Sequence, residues 1–216
     1  LSVDSGIVFR GLVELERSVV AIEDSGWNVV GSGQPRSTSP EMPGFILELG
    51  ANLLSSCPAG GVLLLGSDLE ALSVWYDDLD LRTREILPIR PDRYATDSIY
   101  RRRMAQVMGI DPGLPVRNAL KDVADRRTLC LSPTADSAAA PTLEWRPFRL
   151  SRVSRVAPPG PQALSMTELL EATRQGSSVW VHDVRLVYDQ AARFNNLLCG
   201  SLLSVFGDSP PAACRP

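Results

Sequence analysis

An apolar run, Gly61 to Leu65, stops at Gly66-Ser67-Asp68, and a helical pattern begins at once. A glycine turn between a buried parallel strand and a helix presents free N–H groups. In open α/β sheets that is where ligands settle, and anions above all. Gly66, Ser67 and Asp68 are therefore the first candidate ligand-binding residues, with Arg82 and Arg90 close to loop ends where they could assist an anion. The spacing completes no phosphate motif. There is no GxGxxG and no Walker lysine, and Asp68 would repel a phosphate placed against it. A hydroxyl-rich ligand such as a sugar suits Asp68 better. The competing reading is structural: Ser67 or Asp68 caps the helix and Gly66 permits the tight turn.

The other reactive residue types are scattered. Arg101-Arg102-Arg103 falls on a helical pattern, where successive side chains diverge, so the triplet reads as a solvated face and not as one clamp. His182-Asp183 is a candidate catalytic pair without a GxSxG nucleophile elbow, and neighbours in a strand point apart, so no catalytic residue is assigned. Cys57, Cys130, Cys199 and Cys214 have no CxxC spacing, and His182 is the single histidine, which argues against a metal site. Cys199 and Cys214 are the pair most suited to a disulfide; buried or free thiols are the other reading of the four. No cofactor is expected.

The chain has 216 residues, 44% of them hydrophobic, enough to bury a proper core. Its net charge of −3 gives no general electrostatic attraction to nucleic acid or an anionic membrane surface. No apolar run approaches the roughly 18 residues of a spanning helix, so the stretch reads as soluble. It begins at Leu1 without a basic segment and apolar core. That gives the expectation of an excised domain with its targeting information upstream.

Periodicity supplies the elements that must position these residues. Leu12, Leu15, Val19 and Ile22 predict a helix over 11–26 closed by Gly26. A short strand over 27–31 and a loop over 32–44 follow. Phe45, Ile46, Leu49 and Leu53 line a second helix, and 61–66 reads as a strand buried on both faces. The helix after it carries Leu69, Leu72, Trp75/Tyr76 and Leu79 inward, with Glu70, Asp77, Asp78 and Asp80 mostly outward. A strand at 84–89 precedes a helix with Tyr100, Met104, Val107 and Met108, closed by Gly109. A helix over 116–123, a strand at 127–132 and an edge strand at 145–153, whose Pro147 suits an edge, complete the alternation. The expected fold is an α/β layered domain over 1–156, with a small, mostly parallel sheet flanked by helices. A linker over 157–165 and a helical extension over 166–216 follow, the latter with a brief segment at 178–183 and a long helix over 184–206.

"PAGGVLLLGSDLEALSVWY" (58–76) resembles the start of the soluble domain that follows the membrane helices in bacterial multi-pass proteins similar to eukaryotic-type protein O-mannosyltransferases. "YRRRM" (100–104), "RRTLCLSP" (126–133) and "WRPFRL" (145–150) are similar to later blocks, and 187–210 looks like a tetratricopeptide-type helix of the family's tail. An "RPDV"-like element that usually opens the next strand is degraded here to "LRTREI" (81–86). Such enzymes carry their catalytic carboxylate and lipid-phosphate sugar site in the membrane part. The resemblance therefore implies a non-catalytic accessory domain at the extracytoplasmic face of a bacterial membrane. Its partners would be the membrane-embedded parent and a glycan, acceptor or protein, with no nucleic acid. The alternatives are a free-standing α/β nucleotide- or sugar-binding enzyme, and an interaction module acting through the C-terminal helices.

Overall fold

Val62, Leu63 and Leu64 have no accessible surface, which requires cover on both faces and both sides of the strand they form. The computed structural model, which describes residues 3–27, 42–76, 85–140, 142–155, 164–176, 178–207 and 209–215, provides all of it. This strand, β1 (Val62–Leu64), lies between β2 (Leu87–Ile89) and β3 (Leu129–Leu131), parallel to both. Two further strands, β4 (Arg146–Phe148) and β5 (Ser151–Val153), form an antiparallel hairpin that adds to β3. The sheet order is β2-β1-β3-β5-β4. The expected single edge strand over 145–153 is thus two strands, because Arg149 adopts a left-handed φ of 51° and turns the chain back. Pro147 does lie on the edge.

The flanking helices follow the apolar spacing closely. Helix α1 (Val3–Ser25) buries Leu15, Val19 and Ile22 and starts eight residues before Gly11, with Val8 as one more turn of the same face. Helix α2 (Gly44–Ser55) packs on α3 (Asp68–Tyr76), so closely that a Cβ on Gly50 would strike the Ser73 carbonyl. Short α4 (Pro91–Thr96) leads into α5 (Ser98–Met108). There Asp97 accepts from the Ile99 and Tyr100 N–H groups, and Gly109, at φ 66°, ends the helix in the left-handed region. Val107 is exposed on α5; Ala105 takes the buried position beside Met104 and Met108. Helix α6 (Val116–Ala124) packs on β3.

Beyond residue 163 the chain is helical, in α7 (Thr167–Gln175), α8 (Val179–Phe194) and α9 (Cys199–Phe206). The segment 178–183 belongs to α8 and forms no strand. Val181, Val184, Val187 with Tyr188, and Ala191 are buried at spacings of three and four, and Ser178 caps the first turn through the Trp180 N–H. The long helix expected over 184–206 breaks at Asn195, which is buried and donates its amide to the Arg149 carbonyl (2.8 Å). Gly207 ends α9 as expected. Leu169, Tyr188 and Leu202 join one continuous core with the sheet residues. Two disulfides, Cys57–Cys130 and Cys199–Cys214, account for all four cysteines. Of the expected strand at 27–31 and loop at 32–44, residues 28–41 lie outside the described residues, as do residues 77–80 and most of the linker at 157–165. None of the helices described is long and apolar enough to cross a membrane.

Candidate functional site

The order β2-β1-β3 makes β1 the strand at which the connections diverge. The chain leaves β1 toward β2, then crosses back to β3 on the other side. Ligands of open α/β sheets enter at such a point, beyond the strand ends and between the two exit loops. Here the exit loop of β1 carries Gly66 and Ser67, and that of β3 carries Ser132 and Thr134. Both aim polar groups into the crevice.

The crevice is filled by the protein itself. Glu70, in the first turn of α3, has no accessible surface. One carboxylate oxygen, Oε2, accepts from the Gly66 N–H (3.0 Å), the Ser132 hydroxyl (2.6 Å) and the Thr134 hydroxyl (2.5 Å). The other accepts from the Thr134 N–H (3.1 Å). These donors form the concave, N–H-lined seat that binds phosphate in other α/β proteins, and a side-chain carboxylate occupies it. Gly66 is required by this closure as well, because a Cβ there would collide with the Thr134 carbonyl and the Ala135 nitrogen. The expectation that Glu70 faces outward is overturned. An amphipathic pattern places it beside Asp68, but the donors that draw it inward come from a loop 62 to 64 residues away.

Ser67 is the helix cap, its hydroxyl accepting from the Glu70 N–H (3.3 Å) while its carbonyl accepts from Ala71 (3.1 Å). The sequence Ser67-Asp68-Leu69-Glu70 has the S-x-x-E form of a capping box, which was the one local signal for an inward Glu70. The box is shifted by one residue: Glu70 reaches back to Gly66 instead of Ser67.

Asp68 and Arg90 do meet, as an ion pair. Arg90 also grips Asp92 with a two-pronged contact, Nε to Oδ1 at 3.0 Å and Nη2 to Oδ2 at 2.7 Å. Burial works to lower its pKa, but the hydrogen bonds to Asp92 and Asp68 outweigh this and hold it above the ordinary arginine value. Two carboxylates thus hold the Arg90 guanidinium at the crevice mouth, which leaves that cation little to offer an incoming anion. Of the sequence candidates, Gly66, Ser67, Asp68 and Arg90 come together at β1's carboxyl end. Arg82 lies outside the described residues.

Tyr100 closes the floor beneath Arg90, accepting its backbone N–H at 3.3 Å. Burial pushes the Tyr100 phenol up to about 12, opposed by the nearby Arg93 and Arg90 charges. A raised tyrosine pKa means that the folded state holds its proton more tightly than the unfolded chain. That stability is complete below the unfolded value near 10 and is lost as pH rises toward about 12. We expect the melting temperature to fall between pH 9.5 and 11.5, and Tyr100→Phe to blunt the fall. An identical pH profile for the variant would exclude Tyr100 as its source.

The remaining sequence candidates are dispersed. Arg103 donates to the Glu23 and Asp24 carbonyls (both 2.8 Å) at the end of α1, Arg101 to the Ala95 carbonyl (3.2 Å), and Arg102 is exposed. The triplet diverges as expected. His182 and Asp183 are successive residues of a helix, with His182 exposed. A second buried polar cluster joins the core to the C-terminal helices. Glu48 accepts from the Ser165 hydroxyl (2.8 Å) and the Leu169 N–H (3.0 Å) at the start of α7. Asn52 donates to the Tyr188 hydroxyl (2.7 Å). No group of histidine, cysteine and carboxylate side chains suited to a metal occurs among the described residues.

Fold and site together define an α/β domain whose ligand crevice is occupied by its own carboxylate. No family model matches the chain, and no curated protein or solved structure matches it either.

Proposed function

We propose that this chain is a non-catalytic accessory domain of a membrane glycosyltransferase-like protein, on the extracytoplasmic face of a bacterial membrane. There it binds an acceptor, a glycan or a protein partner of the parent. The observation that carries the reading is the Glu70 carboxylate seated on four donors in the crevice where an α/β enzyme would hold its cofactor or substrate phosphate. Two disulfides support the location, since such bonds persist in oxidising compartments. The resemblance at 58–76 supplies the parent's class.

The test has two arms. Reading the parent gene should reveal a run of spanning segments before Leu1, and a fusion of alkaline phosphatase after the domain should be active outside the cytoplasm. A parent without such segments, or an inactive fusion, sinks the placement. Titration with nucleotides and nucleotide sugars at millimolar concentration should leave the NMR signals of the Gly66 and Thr134 N–H groups unmoved. A shift of those signals, which report on the crevice at the sheet, would favour the free-standing enzyme instead.

A further inference from the structure

A second concavity lies on the C-terminal helices, and its charge differs from that of the crevice at the sheet. Its wall is the outer face of α8, where His182, Arg185, Leu186 and Asp189 recur at spacings of three and four. Its other side is the segment Ser209–Arg215, ending in a short 3-10 turn, Ala212–Cys214, that the Cys199–Cys214 disulfide ties back to α9. The space between them is about 300 Å³.

The charges there are unequally employed. Both oxygens of Asp189 are engaged, one by Arg193 at 3.0 Å and the other by the Ala212 N–H at 3.1 Å. Arg185 is held in place with no carboxylate partner among the described residues. Its guanidinium lies over the Phe206 ring at 4.7 Å from the centroid, and one amino group donates to the Ser209 carbonyl (3.0 Å). Among the described residues the rest of its donor fork has no partner, and Arg215, exposed across the cleft, has no acidic one. The apolar part of the lining is Phe206, Leu186 and Pro211. An arginine fixed by stacking loses little freedom on gripping an anion, and its planar fork matches the oxygens of a carboxylate or phosphate.

We propose that this cleft binds a small organic oxyanion, a carboxylate or phosphate carried on a body with an apolar face. Arg185 and Arg215 hold the charged head, and the apolar lining at Phe206 and Pro211 takes the body. The site stands on the C-terminal helices and does not depend on what the parent protein is.

Titration of the full chain with benzoate and with phenyl phosphate tests this by calorimetry and by NMR of the arginine side-chain N–H signals. At least one of the two should bind and shift the Arg185 and Arg215 signals, and their ranking names the head group. Acetate and inorganic phosphate, which lack the body, and benzyl alcohol, which lacks the charge, should each bind at least about tenfold more weakly. Arg215→Gln, at an exposed position that leaves the fold intact, should weaken the better ligand by about tenfold. Benzyl alcohol binding as well as the anions would overturn the proposal. So would undiminished affinity in Arg215→Gln, or no response to either anion at 10 mM.

Discussion

Glu70→Ala lowers the stability of the domain by about 3 to 5 kcal/mol, seen as a lower urea midpoint at unchanged slope. The size follows from what the substitution leaves behind. The Thr134 N–H, the Thr134 hydroxyl and the Ser132 hydroxyl all lose their acceptor, the last at a fully buried position and the Thr134 groups at a partly buried one. Each buried donor left without a partner costs about 1 to 3 kcal/mol. Only the Gly66 N–H keeps an alternative, the Ser132 hydroxyl oxygen at 3.1 Å. Glu70→Gln should cost less, because its amide oxygen still accepts while its NH₂ group faces donors. Asp68→Asn, two residues away but exposed and paired only at the surface, should stay within about 1 kcal/mol. If Glu70→Ala were as mild as Asp68→Asn, water would be replacing the carboxylate, and the crevice would be open to ligands after all. The same variant has a second readout. With the carboxylate gone, inorganic phosphate should stabilise the domain, whereas the parent sequence should show no such effect.

The double substitution Cys57→Ala/Cys130→Ala is the other large effect, at about 4 kcal/mol by the chain-entropy relation for a closed loop of this length. Its two cysteines are 73 residues apart and almost wholly buried. They fasten the end of α2 to the central strand β3, so the bond restrains most of the α/β core in the unfolded chain. The Cys199–Cys214 pair closes a separation of only 15 residues, for which the same relation gives about 3 kcal/mol. Guanidinium unfolding without reductant compares the two double variants directly. Equal midpoints for the Cys57/Cys130 variant and the parent would mean that the bond adds nothing the core does not already supply.

Much of the architecture is legible in the residues one by one. The uninterrupted run at 61–65 names a doubly covered strand, and Tyr100, Met104 and Met108 name the inner face of α5. Pro147 names an edge. What stays hidden is whatever depends on residues distant in the chain. Glu70 looks like one of several acidic residues on a polar face until Ser132 and Thr134 are brought beside it. Asn195 looks like an unremarkable helix residue until the Arg149 carbonyl arrives to take its amide. The segment 178–183 misleads for a different reason. Val179 and Val181 alternate as in a strand, but the spacing of Val181, Val184, Tyr188 and Ala191 extends further and prevails. The site follows the same rule: its location at the end of β1 is local information, whereas its being already filled is not.

Among the described residues the outer strands of the sheet are β2 and β4, each three residues long with a proline at its middle position, Pro88 and Pro147. In β2 the inward bonds to β1 use the Leu87 N–H and the Ile89 carbonyl, so the position whose N–H would point outward belongs to Pro88. A foreign strand approaching either margin meets a residue with no hydrogen to share. Both ends of the ladder are therefore sealed against chain-to-chain extension, the route by which exposed sheets polymerise or capture extended peptides. Recognition through these two margins is thereby disfavoured, which turns the search for a partner's footprint toward side chains and helix faces.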